Sequence, residues 1–174
     1  MQSSVLKKIG VIGPGAPLCG NDLYDFGVSL GEAVATKDRV IICGGLGGFM
    51  EAVCRGVKQS PETFSGQTLG ILPGDDPESA NPFIDVAIPT GMGIARNGII
   101  VKTSDIIIAA GGGAGTLSEL AFAWQHHKTV LCVTAFGGWS RELAGRNLDE
   151  RAAGLLIGVR TIEDIRRYLN ERLR

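Results

Sequence analysis

The sequence contains no C-x-x-C pair, no Gly-Lys dipeptide and no apolar run of membrane-spanning length. Without Gly-Lys-Ser/Thr ahead of a helix there is no Walker-type P-loop, which excludes an ATPase of that class. The absence of a long apolar run excludes a transmembrane helix, and the N-terminal residues Met1 to Lys8 lead into a five-residue apolar run too short for a secretory signal. Excess positive charge is also missing. Seventeen basic residues face 18 acidic ones, so the surface lacks the field that nucleic-acid binding draws on. The four cysteines, Cys19, Cys43, Cys54 and Cys132, have no metal-ligand or disulfide-framework spacing and three lie in apolar runs, so they read as reduced thiols in a cytoplasmic protein. Aromatic residues make up only 6% of the chain.

Glycine, by contrast, is abundant, with 26 in 174 residues, and it is clustered. Around the clusters, short apolar runs alternate with segments of helical period. This pattern predicts one α/β domain over residues 1–174, a Rossmann-like open parallel sheet with helices on both faces. Lys8–Ile12, Arg39–Cys43, Thr68–Leu72, Asp105–Ala109 and Thr129–Val133 read as strands, and the shorter Asp85–Ile88 and Leu155–Val159 as strands toward the sheet edges. Helical stripes run through Leu23, Phe26, Leu30 and Val34, through Phe49, Val53 and Val57, and through Leu117, Leu120, Ala121 and Trp124. Thr161 and Asp164 mark the start of a last helix. The irregular stretch 73–82 holds three prolines and the pair Asp75-Asp76, which reads as a charged turn and not a cation site.

Three glycine clusters directly follow strands: Gly13-Pro14-Gly15, Gly44-Gly45-Leu46-Gly47-Gly48 and Gly111 to Gly115. In a parallel sheet these loops share the carboxyl edge, where such folds bind ligands. Gly112, Gly113, Gly115 and Thr116 open a helix whose unpaired N–H groups and hydroxyl suit phosphate; Gly13, Gly15, Gly44, Gly45 and Gly47 are the other candidate ligand-binding positions. The competing reading is that the glycines serve only tight strand-to-helix packing. A dinucleotide fingerprint is not met, since position 18 is leucine where a third glycine belongs and no acid ends the second strand, which disfavours bound NAD.

Among charged residues, Glu119 stands three after Thr116. That spacing fits a capping box, and it equally fits a carboxylate aimed at a ligand's hydroxyls. Arg96 opens a segment beside the crevice, where a guanidinium can grip phosphate in bidentate fashion. His126-His127 reads as a favourable charge at a helix C-terminus, and Trp139 either stacks on a flat ligand ring or packs against its own loop.

Gly112-Gly113-Ala114-Gly115-Thr116-Leu117-Ser118-Glu119 resembles the G-G-x-G-T-x-x-E motif of the LOG-type phosphoribohydrolases. Arg96 falls at the position of that family's arginine, and Gly44-Gly45 through Gly47-Gly48-Phe49-Met50 resembles its G-G-G-x-x-G-L-M segment. The resemblance covers about two-thirds of the chain in order and register. It implies cleavage of the N-glycosidic bond of a nucleoside 5′-monophosphate, with Arg96 and Glu119 as the catalytic pair, no metal or resident cofactor, a small phosphorylated ligand as partner, and a homodimer. Two positions depart from the motif: Gly111 stands where the family has proline, and Asn97 where it has lysine. In lacking that lysine, Ile94-Ala95-Arg96-Asn97 is similar to a sister branch, the molybdenum cofactor carrier proteins. The resemblance to that branch implies that the same crevice holds a phosphorylated pterin, the molybdenum cofactor, without chemistry.

Overall fold

A computed structural model of the chain describes residues 5–151 and 153–173. The reading of the N-terminal leader rests partly on residues 1–4, which lie outside that range. In chain order the elements are β1 (Lys7–Ile12), α1 (Asn21–Val34), β2 (Arg39–Cys43), α2 (Phe49–Gln59), β3 (Thr68–Leu72), β4 (Val86–Pro89), α3 (Asn97–Thr103), β5 (Ile106–Ala110), α4 (Ala114–Gln125), β6 (Thr129–Val133), α5 (Trp139–Leu143), β7 (Leu155–Val159) and α6 (Ile162–Arg172).

The strands form one parallel sheet in the order β4-β3-β2-β1-β5-β6-β7. Strands β2 and β5 are buried along their whole length because helices cover both faces, which is why they read as continuous apolar runs without alternation. The period of two still decides which face each side chain serves. Ile106 and Ile108 join Leu30, Val53 and Ile165 on one side, while Ile107 and Ala109 join Ile100, Leu120 and Trp124 on the other. On the first side α1 and α2 approach so closely that a Cβ on Gly56 would collide with the Val28 carbonyl. The two weaker strand readings are both present, at the two sheet edges, where burial on both faces is lost and the apolar signal fades accordingly.

The order places the topological switch between β1 and β5. From β1 the chain proceeds through α1 to β2 on one side; β5, on the other side, continues through α4 to β6. Successive connections thus leave in opposite directions and open a crevice at the carboxyl ends of these two central strands. Among the described residues no helix is long and apolar enough to cross a membrane. Asp76 accepts from the Glu78 N–H at 2.9 Å and caps a short 3-10 turn, so it acts as the turn residue its setting suggested. All four cysteines are free, three of them buried and Cys19 half-buried.

Candidate functional site

The loops after β1, β2 and β5 meet at the carboxyl edge and interlock. Phe49 N–H donates to the Pro14 carbonyl at 3.0 Å, and the loop after β6 joins them through Ser140 N–H to Gly111 O at 3.1 Å and Trp139 N–H to Gly112 O at 3.2 Å. Much of the glycine content serves this interlocking. A Cβ on Gly13 would strike the Phe49 ring and lie 2.9 Å from Ala110 O, one on Gly45 would lie 3.0 Å from the Gly70 Cα, and one on Gly44 would meet the Arg96 guanidinium. Gly15 and Gly115 differ: the former has only Pro17 nearby, at 3.9 Å, and the latter has nothing within 4 Å. Those two positions leave backbone open for an incoming group.

Helix α4 begins at Ala114, with Gly113 as its cap, and not at Thr116. The positive φ of Gly112 turns the chain early enough for helical geometry to start two residues sooner. The capping box between Thr116 and Glu119 is therefore absent: Thr116 is already inside the first turn, buried and tucked against Gly112, and Glu119 lies a turn deeper. Gly113 has no side chain to cap with. The first-turn N–H groups of Ala114, Gly115 and Thr116 are left for an anion or solvent.

Glu119 faces Arg96, which ends a 3-10 turn (Gly93–Arg96) leading into α3. Both are almost fully buried, at 6% and 8% exposure, yet Arg96 Nη1 is 3.8 Å from Glu119 Oε1, too long for a hydrogen bond. Instead the guanidinium donates from Nη1 to the Asn97 side-chain oxygen, and Asn97 Nδ2 donates to Ser118 Oγ at 2.9 Å and to the Gly115 carbonyl at 3.4 Å. Asn97 thus ties Arg96 to the first turn of α4. One polar atom is left over: Arg96 Nε is buried without a hydrogen-bond partner. Buried polar groups in native proteins are nearly always paired, which makes the Arg96 N–H a candidate donor to a ligand.

Burial also sets the protonation of Glu119. Desolvation pushes its carboxyl from an ordinary 4.5 up to about 8, against the weaker opposing pull of Arg96; burial likewise lowers the Arg96 guanidinium. Since the folded chain keeps a proton that the unfolded chain loses, the stability Glu119 contributes below pH 4.5 is lost as pH rises toward about 8. Glu119→Gln, which mimics the neutral acid, is expected to flatten this loss. Its melting temperature relative to the parent should rise by several degrees between pH 5 and pH 8, and parallel pH profiles would contradict the assignment.

On the other side of the Gly111–Gly113 backbone lies an open cleft of about 490 Å³. Its walls are Pro14, Leu18, Leu23 and Phe136, and its polar side chains are Asn21 and Asp22 from the first turn of α1. Arg96 and Glu119 do not line it; they and the cleft flank the same glycine loop. Trp139, the residue read as either stacking on a ligand ring or packing against its own loop, is also absent from the lining, and nearby Phe136 supplies the aromatic ring. Sequence reasoning missed Asn21, Asp22 and Phe136. The available signal was position: Asn21 and Asp22 follow β1 at the switch point, and Phe136 follows β6, the strand next to β5.

The model of the SLOG cluster4 family matches residues 6–165. The chain belongs to that family. Membership places it in the LOG-like superfamily that the motif at 112–119 resembles. A relative from Archaeoglobus fulgidus, an uncharacterized protein, is 45% identical over 125 residues, which are 72% of this chain and 78% of the relative. Among solved structures, the molybdenum cofactor binding protein of Rippkaea orientalis is 32% identical with a TM-score of 0.83, covering 99% of this chain and 100% of its own. The molybdenum cofactor carrier protein of Chlamydomonas reinhardtii is 26% identical with a TM-score of 0.78, covering 96% and 98%.

Proposed function

We propose that this member of the SLOG cluster4 family binds and carries a phosphorylated pterin, the molybdenum cofactor, without cleaving it. The observation that carries the reading is the unpaired Arg96 N–H at the glycine loop. Arg96 Nε is buried without a hydrogen-bond partner, with the buried Glu119 3.8 Å from its Nη1, beside first-turn N–H groups that have no side-chain cap. In this reading the phosphate sits on the N–H groups of Ala114 to Thr116, with the Arg96 charge behind it, and the ring system lies toward the cleft. The likeness to two molybdenum cofactor proteins over nearly the whole chain supports that choice of ligand.

With its pKa raised to about 8, Glu119 is a hydrogen-bond donor to a carried ligand at neutral pH, and in cleavage it would suit a general acid more than an ionised stabiliser of an oxocarbenium-like centre. Asn97, which stands where the hydrolase motif has lysine and holds the guanidinium to the α4 turn, is the feature that favours carriage. The second reading, a nucleoside 5′-monophosphate phosphoribohydrolase, draws on the juxtaposition of Arg96 and Glu119 that the family motif implies.

Two measurements test the proposal. The purified protein is expected to retain molybdenum cofactor through gel filtration, detected as molybdenum together with the fluorescent oxidised pterin, and to release no adenine from adenosine monophosphate. Adenine release that disappears in Glu119→Ala would replace carriage with hydrolysis, and its pH profile, falling or climbing as pH passes about 8, would tell a general acid from an ionised carboxylate. Failure to retain the cofactor would overturn the carrier reading.

A further inference from the structure

The cleft beside the glycine loop has a chemical character of its own. Its apolar walls, Leu23, Pro14 and Phe136, suit a flat ring. Phe136 is held in place by an edge-on contact with Phe26, with centroids 5.1 Å apart and planes at 65°. In this slot the polar side chains are Asn21 and Asp22, both exposed, and neither makes a hydrogen bond or ion pair among the described residues. Among the described residues Asp22 supplies the only carboxylate of the cleft, set against a glycine loop that offers backbone alone.

From this arrangement, and resting on the reading that the glycine loop takes a phosphate, we infer that Asp22 selects fused heterocycles bearing a 2-amino-4-oxo edge, the edge shared by guanine and pterins. A carboxylate has two acceptor oxygens and no donor. The 2-amino-4-oxo edge presents a ring N–H and an exocyclic N–H side by side, so both point at the two oxygens in a charge-assisted bidentate pair. Adenine presents one donor beside a ring nitrogen lone pair, and that lone pair facing a carboxylate is repulsive. Hypoxanthine retains the ring N–H but lacks the amino group. The side chain therefore predicts an order of affinity, guanine above hypoxanthine above adenine, among ligands with identical sugar and phosphate. Asn21, whose amide both donates and accepts, tolerates any of these edges and sets no order.

The test is calorimetric titration of the full chain with guanosine, inosine and adenosine 5′-monophosphates and with ribose 5-phosphate, repeated with Asp22→Asn. Guanosine monophosphate is expected to bind about tenfold tighter than adenosine monophosphate, with inosine monophosphate between them. Asp22→Asn keeps the shape of the side chain but replaces one acceptor with a donor. It is expected to bring the guanosine and adenosine forms within about twofold of each other while leaving ribose 5-phosphate binding unchanged. An unchanged thermal melt of the variant shows that any change is not one of folding. Equal affinities in the parent, or a preference that survives in Asp22→Asn, would overturn the selection by Asp22. In either case, bound ribose 5-phosphate would leave the phosphate site standing. If neither the nucleotides nor ribose 5-phosphate bind, this inference and the phosphate-site reading fall together.

Discussion

Gly48→Ala is expected to lower stability by about 3 kcal/mol or more and to take ligand binding with it. Two independent costs combine. Gly48 has φ of 79° and ψ of −136°, a backbone region that residues with a Cβ rarely enter. In addition, the new Cβ would lie 2.5 Å from Gly15 C, 2.6 Å from Pro14 O and 2.7 Å from Ala16 N, all backbone atoms that can move only if the loop after β1 moves. A loss of this size is a large part of the ~5–15 kcal/mol that holds a domain together, and it corresponds to a fall in melting temperature of roughly 10 °C. Gly115→Ala is the matching control. That Cβ meets nothing within 4 Å and φ is not positive, so the fold should be unharmed or slightly firmer, by up to about 1 kcal/mol. The methyl would nevertheless stand where the phosphate is proposed to approach. Calorimetric melts and ligand titrations on the two variants should therefore separate: Gly48→Ala loses both, Gly115→Ala loses binding alone. A Gly115→Ala protein that binds the ligand at full strength would remove the phosphate from the α4 N-terminus.

Arg96→Ala is expected to weaken the phosphorylated ligand by about 10- to 100-fold, the scale of a charge-assisted hydrogen bond lost from a dry site. Its effect on the fold should be smaller than the usual ~3–5 kcal/mol for breaking a buried ion pair. The reason lies in the partner. At 3.8 Å and with its carboxyl held neutral to about pH 8, Glu119 does not become a stranded charge at neutral pH when the guanidinium goes. The penalty is expected to grow at alkaline pH, where Glu119 must ionise without a cation beside it. Thermal melts of Arg96→Ala against the parent at pH 7 and pH 9 check this, and a difference that does not widen with pH would contradict the protonation assigned to Glu119. Asn97→Ala makes a useful companion. It removes the tie between Arg96 and Ser118 but keeps the charge, so a loss of binding shared by both variants would show that guanidinium position matters as well as its presence.

Much of the architecture was legible in local pattern. The runs Arg39–Cys43, Thr68–Leu72, Thr129–Val133 and Leu155–Val159 are strands with the bounds their apolar character suggests, and the other three shift by a residue, as β5 does by ending at Ala110. Thr161 and Asp164 form a reciprocal capping box at the start of α6, so the same motif that failed at Thr116 and Glu119 holds here. The difference is the preceding residue. Thr161 stands at the end of an extended segment and can be a cap, whereas Thr116 follows a pair of glycines that turn the chain before it.

The sequence by itself determined the parallel sheet, the glycine loops at its carboxyl edge and the membership in the LOG-like superfamily, because strand period, turn chemistry and motif spacing are carried by neighbours along the chain. Tertiary structure alone decided three matters. It divided the glycines into those that lock loop against loop, such as Gly13 and Gly48, and those left open, such as Gly115. It drew Arg96 out of solvent, set it short of contact with Glu119, and tied it through Asn97 to Ser118. It brought Asp22 and Phe136 to one cleft from elements more than a hundred residues apart in the sequence. Each depends on which strands are neighbours, and strand order is set by the packing of helices on both faces, which no local window of sequence contains.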